Sequence, residues 1–206
     1  MKSSTVDPQD PRPPRRRIHT RARILTAASG LFLSEGYGRT SIEDVCAAAG
    51  YTRGAFYSNF ASKEDLLLAL FDERAAERLV ELERLAARCE ELTPAERARL
   101  LAGALLRVDP AETGWILLFL EFRLLAARTP GLADRVAEHD RAVTRELAGL
   151  LARALPGLVP SGADPVQVAE VLLAAREGLL ARTAAGGPGA EQLLESASAV
   201  LGGILG

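Results

Sequence analysis

The chain has 206 residues, 48% of them hydrophobic and 25% charged, a composition that excludes a disordered or fibrous protein. The formal net charge of −2 conceals a split: residues 1–60 carry nine Lys or Arg against five Asp or Glu, and the rest carry sixteen against twenty-two. A basic module for a polyanion attached to an acidic body has this pattern, and two cysteines without paired spacing, Cys46 and Cys89, argue against a disulfide framework or zinc site and predict a reducing, cytoplasmic setting.

In chain order, residues 1–17 carry Pro8, Pro11, Pro13 and Pro14 among the arginines Arg12, Arg15, Arg16 and Arg17, and read as a flexible basic arm without the apolar stretch of a secretory leader. A first helix is expected near 20–35, where Ile24, Ala28, Leu31 and Phe32 form one apolar stripe and Gly36 provides the stop. A second, near 41–48, opens at the capping box Ser41-Ile42-Glu43-Asp44; a third, near 52–59, follows the turn at Gly50; a fourth, near 62–88, opens at Ser62-Lys63-Glu64-Asp65. Proline-bearing starts at Thr93-Pro94-Ala95-Glu96, Asp109-Pro110-Ala111-Glu112 and Asp164-Pro165-Val166-Gln167 place helices near 94–107, 110–128 and 165–185. Two more are expected near 131–155 and 190–204. Alternating β-branched runs are missing, so the fold class is all-α with about nine helices. The most apolar run, Trp115 to Leu120, is stopped by Glu121 and Arg123, and no membrane span is expected.

Residues 39–63 carry the functional signal, because two short helices separated by a tight turn at Gly50 have the punctuation of a helix-turn-helix. Ile42, Val45 and Ala49 form the buried stripe of the first, the small Ala47 and Ala48 allow close approach, and Phe56 fills the space between the two helices. The second then presents Thr52, Arg53, Gly54, Ala55, Tyr57, Ser58 and Asn59, which suit a major groove. Arg53 can offer a bidentate fork to guanine, Gly54 and Ala55 permit close approach to base edges, and Tyr57 and Lys63 are within reach of phosphates. On the helical wheel the Arg53/Tyr57 stripe lies only about 60° from the Phe56/Phe60 stripe. Arg53 as a solvated surface arginine and Tyr57 as a half-buried core residue therefore stay open. The basic arm fits either a minor groove or nonspecific phosphate screening.

The segment from Gly36 to Leu67 resembles the N-terminal signature of TetR-family regulators. The resemblance is carried by Thr40-Ser41, the Ala49-Gly50 turn, the Tyr57/Phe60 aromatic pair, Ser62-Lys63-Glu64 and Leu66-Leu67, with Thr52-Arg53-Gly54-Ala55-Phe56-Tyr57 in the recognition helix. It implies an N-terminal three-helix DNA-binding domain over 18–63, a larger C-terminal domain for effector binding and dimerisation over 64–206, a homodimer, and a palindromic double-stranded DNA operator. Carried onto this chain, it implies that Thr40 or Ser41, Tyr57 and Lys63 contact phosphates and that Thr52, Arg53 and Ala55 face bases. Glu43 is then expected either to accept from cytosine or to complete a cap with Thr40.

In the C-terminal part, Trp115, Phe119 and Phe122 recur at four and three residues in the most apolar helix and serve either as central core or as the wall of an effector pocket. Arg123, Arg176, Glu121 and Glu177 are the candidate polar anchors, the two on the later helix lying in an otherwise apolar segment where charge needs partners or water. The resemblance further implies that the last two helices pair with a second copy, through residues such as Val168, Val171, Leu172, Leu179, Leu193, Leu194, Val200 and Leu201. No cofactor and no enzyme are expected: His19 and His139 lack ligand or triad spacing, and Gly186-Gly187-Pro188-Gly189 lacks the Lys-Ser/Thr of a phosphate loop. The reading is a regulator, repressing as the family commonly does, released from its operator by a small apolar or amphipathic ligand. Its rival is an all-helical small-molecule-binding protein or adaptor that has lost DNA binding.

Overall fold

The computed structural model of the chain describes residues 15–88, 91–106, 113–154, 159 and 162–184. Among these there are eight helices and no strand: α1 (Arg15–Glu35), α2 (Ile42–Ala49), α3 (Arg53–Tyr57), α4 (Lys63–Arg88), α5 (Pro94–Leu106), α6 (Thr113–Arg128), α7 (Leu132–Ala154) and α8 (Pro165–Ala184). The helix expected near 190–204 lies outside the described residues, as does most of the basic arm. Arg15, Arg16 and Arg17, expected in that arm, instead form the first turn of α1.

The helix starts form as their side chains dictate. Ser41 Oγ accepts from the Asp44 amide at 3.1 Å while the Asp44 carboxylate accepts from the Ser41 amide at 2.9 Å, so two orphan donors are satisfied reciprocally. Thr93 and Glu96 repeat the exchange at the start of α5, and Asp164 Oδ1 accepts from the Val166 amide at 2.9 Å ahead of α8. At the turn between α2 and α3, Gly50 adopts φ 72° and the amides of Gly50 and Tyr51 close back onto the carbonyls of Ala47 and Cys46. A side chain with a Cβ is disfavoured in that left-handed conformation.

Two buried clusters hold the helices together. The first joins Ile24, Ala28 and Phe32 of α1, Val45 and Ala49 of α2, Phe56 of α3 and Leu66, Leu67 and Phe71 of α4 with Leu118, Phe122 and Ala126 of α6 and Leu132 and Val136 of α7. It therefore crosses residue 63 without a break. Ala47 and Ala48 are exposed, and the small buried residues of α2 are Cys46 and Ala49. The second cluster lies at the other end, built from Leu82 and Ala86 of α4, Leu101 and Leu105 of α5, Leu147, Leu150 and Leu151 of α7 and Ala169 and Leu172 of α8. Leu172, expected at a dimer surface, is a core residue of its own chain.

Phe122 sits where the two parts of the chain meet. Its ring is 6.0 Å from that of Tyr37 and 5.7 Å from that of Phe71, and 1% of the residue is exposed. Phe122→Ala is expected to destabilise the protein by about 3 to 5 kcal/mol, the range for a buried phenylalanine cavity. Urea unfolding at fixed protein concentration measures this, and a loss under about 1 kcal/mol would show that the junction repacks freely.

Candidate nucleic-acid interface and interior cavity

On α3 the two neighbouring stripes separate. Phe56 is fully buried and Phe60 nearly so, whereas Tyr57 is 47% exposed with its ring edge-on to that of Phe56 at 5.3 Å. Thr52, Arg53 and Gly54 are exposed and Ala55 is half-buried. Thr52 also caps the helix, its Oγ1 accepting from the Ala55 amide at 3.3 Å. Arg53 reaches back to α2, where its Nη1 lies 2.5 Å from Glu43 Oε1, and forward to Tyr57, whose hydroxyl accepts from Nη2 at 3.4 Å. Both ionised groups are more than half exposed, so the pair costs little to open. Glu43 thus faces Arg53 and not Thr40, and the cap of α2 belongs to Ser41 and Asp44.

Basic side chains of α1 brace this face from behind. Arg17 donates to the Ser58 carbonyl at the end of α3, at 3.0 Å, Arg21 lies 5.2 Å over the Phe60 ring, and Arg23 lies 5.3 Å over the Tyr51 ring.

Four residues expected at the interface are committed elsewhere. Thr40 is 1% exposed and donates its hydroxyl to the Gly36 carbonyl at 3.0 Å. Ser41 is half-buried and occupied with the α2 cap. Asn59 donates its amide to Ala55 O at 2.8 Å and to Ser58 Oγ. The Lys63 ammonium donates to the carbonyls of Tyr37 and Thr40, both at 2.9 Å, and sits 4.0 Å over the Tyr37 ring. Desolvation holds its pKa below the ordinary lysine value. With two of three donors spent on backbone, Lys63 is a strut of the loop.

That loop between α1 and α2 is gripped from the opposite side by Glu121 of α6. One carboxylate oxygen accepts from the Tyr37 amide at 3.2 Å and the other from the Gly38 amide at 3.0 Å. The Tyr37 hydroxyl donates to Glu64 at 2.6 Å and is held above its usual pKa by burial and by that carboxylate. Glu121, expected as a pocket anchor, is therefore an anchor of the helix-turn-helix. Only the Gly36-Tyr37-Gly38 sequence hinted that this segment had a special conformation.

Between α4, α6, α7 and α8, with Leu105 of α5 at its edge, lies a cavity of about 380 Å³. Trp115, Phe119, Arg123 and Arg176 line it; Phe122 does not, because its position on α6 turns it into the core beneath Tyr37. The walls contributed by α4 and α7, which bring Phe71, Arg74, Arg78, His139, Asp140 and Thr144, were not legible from residue pattern alone. Arg123 holds two carboxylates with one nitrogen, Asp140 at 3.0 Å and Glu177 at 2.9 Å, and its guanidinium lies 4.7 Å over the Phe119 ring. Burial raises the pKa of Glu177, and Arg123 opposes that rise. No helix among the described residues is long and apolar enough to cross a membrane.

Comparisons with known proteins cover both halves. The profile of bacterial regulatory proteins of the tetR family matches residues 24–70, and that of the C-terminal part of BetI-type transcriptional repressors matches residues 94–206. The HTH-type transcriptional regulator TtgR of Pseudomonas putida is 45% identical over 53 residues, 26% of this chain and 25% of that protein. The HTH-type transcriptional repressor AcnR of Corynebacterium efficiens is 28% identical over 136 residues, 66% of each chain. The alignments to the first curated relatives span about a quarter of those proteins' length. Among solved structures, Salmonella enterica GusR superposes with a TM-score of 0.66 at 25% identity, covering 91% of this chain and 96% of its own. A TetR-family regulator from Pectobacterium atrosepticum superposes with a TM-score of 0.65 at 25% identity, covering 92% and 94%.

The geometry of Lys63 makes a measurable claim. Lys63→Met is expected to cost about 2 kcal/mol of stability, since hydrogen bonds from a charged donor are worth roughly 1.5 to 3 kcal/mol each before discounting for partial exposure. Unfolding of the variant at fixed protein concentration tests this; an unchanged midpoint would return the ammonium to the surface.

Proposed function

Because the chain belongs to the TetR family of bacterial regulatory proteins, matched through both its halves, we propose that it is a cytoplasmic, non-enzymatic transcriptional repressor that binds a palindromic operator as a homodimer. A small molecule entering the cavity releases it from the DNA. The observation that carries this reading is the outward face of α3: Thr52, Arg53, Gly54 and Tyr57 are exposed while Phe56 and Phe60 anchor the helix from within. Arg53 then reads a guanine edge, leaving Glu43 when the operator supplies a better bidentate partner, and Tyr57 meets a phosphate. Two copies are required because two recognition helices must lie about 34 to 36 Å apart to enter successive major grooves.

The route from ligand to DNA follows α6. Its Trp115, Phe119 and Arg123 line the cavity, and its Glu121 holds the amides of Tyr37 and Gly38. A ligand that favours a displaced α6 therefore favours a displaced helix-turn-helix, and it releases DNA only to the extent of its differential affinity for the two arrangements.

Sequencing the genomic DNA fragments retained by the purified protein tests the reading. An inverted repeat recovered from independent fragments supports it; fragments without a shared site would favour a helical ligand-binding adaptor. On the recovered site, Arg53→Ala is expected to weaken binding by about 1 to 3 kcal/mol and to relax preference at one base pair per half-site. Equal weakening on random DNA, measured by titration at constant salt, would refute base reading by Arg53.

A further inference from the structure

The arginines in the cavity walls are committed within the protein. Arg74 pairs with Glu77, Arg78 pairs with Glu81 and donates to the Ala104 carbonyl at 3.0 Å, and Arg123 holds Asp140 and Glu177. His139 of α7, which also lines the cavity, has only one of its two ring nitrogens engaged.

The engaged nitrogen fixes what the other can do. The His139 side chain is 10% exposed, and its Nδ1 lies 2.6 Å from Asp72 Oδ1 on α4. An ionised carboxylate only accepts, so the proton of Nδ1 is held in that bond and, in the neutral ring, Nε2 is left as an acceptor. Among the described residues nothing donates to Nε2. The ring stands 6.4 Å from that of Phe71, and Phe71 in turn stands 5.3 Å from Phe119 and 6.5 Å from Trp115. A hydrogen-bond acceptor of fixed tautomer is therefore set beside an aromatic wall. An apolar body that fills the cavity keeps water from that nitrogen, and an acceptor buried without a donor weakens binding. Sites built in this way discriminate strongly in favour of a molecule that brings its own donor.

We infer that the effector carries a hydroxyl on an apolar body: the hydroxyl donates to His139 Nε2, and the body lies against Phe71, Trp115 and Phe119. Asp72 is a positioning residue, because its bond to Nδ1 keeps Nε2 free of a proton. The inference rests on the reading of this cavity as the effector site.

Trp115 is the only tryptophan of the chain, so its emission reports occupancy of the cavity in the full-length protein. Three probes share one ring and one alkyl chain: 4-propylphenol has a donor, 4-propylanisole has an oxygen without a donor, and propylbenzene has neither. At about pH 8 an ordinary imidazole is neutral and a phenol keeps its proton. Under that condition 4-propylphenol is expected to bind about tenfold more tightly than either of the others, and H139F to abolish the preference. D72A, which removes a largely exposed side chain, is expected to cut the preference about threefold by releasing the tautomer. The inference is overturned if 4-propylanisole or propylbenzene binds the native protein as tightly as 4-propylphenol, or if the full preference survives in folded H139F. Should H139F not fold, full preference in D72A overturns it equally. Binding of propylbenzene without a preference for the phenol sinks the donor class and leaves the cavity reading standing. Failure of all three probes to shift either the emission or the melting temperature sinks both.

Discussion

The loop from Gly36 to Ser41 is the constraint on which the rest of the molecule depends. Backbone amides and carbonyls that leave a helix must find partners, and here the partners are charged side chains from distant parts of the chain. Glu121 takes the Tyr37 and Gly38 amides across 84 and 83 residues of sequence, and Lys63 takes the Tyr37 and Thr40 carbonyls. The direction in which α2 leaves α1 is thus set by α6 and α4, and with it the direction in which α3 protrudes. A loop satisfied by water alone would leave that angle free.

The Glu121 grip is directional because a carboxylate accepting two successive amides fixes both the position and the rotation of its helix relative to the loop. On the adjoining side of α6, the rings of Phe122 and Tyr37 stand 6.0 Å apart and exclude water from the junction. Packing of this density does not deform continuously. A displacement of α6 must either carry the loop along or break the two hydrogen bonds from the Tyr37 and Gly38 amides to Glu121.

The local punctuation of the fold was legible in the sequence because its causes are local. Ser41 and Asp44, Thr93 and Glu96, Asp164 and Val166, and the glycines at 36 and 50 act within four residues of themselves, and the helices begin and end close to where they stand. The exception is α1, which opens at Arg15 through a run of arginines where the prolines suggested an arm that continued to residue 17. On α3 the identity of the outward residues was readable but not their separation from the aromatic stripe, since about 60° of helical wheel is within the spread of side-chain directions. The roles of Lys63, Thr40 and Glu121 were hidden for a different reason: each is fixed by a partner that only tertiary contact supplies.

Helix α6 shows why its own residues resisted assignment. It is apolar around nearly all of its circumference, so periodicity carries no information about what each face meets. In the folded chain Phe122 and Leu118 enter the core, Trp115 and Phe119 face the cavity, and Leu117 and Leu124 are 52% and 62% exposed. Val171 on α8, placed by the family resemblance at a surface shared with a second copy, is likewise 59% exposed. A large exposed aliphatic side chain gains nothing from water, and several on neighbouring helices point to burial elsewhere. A second copy covering α8, as in the proposed dimer, would then complete a helix pair whose inner faces wall the cavity and whose α6 member holds the loop that aims α2 and α3. One element would thereby be answerable to ligand, partner and operator together, which is the physical condition for any of them to influence another.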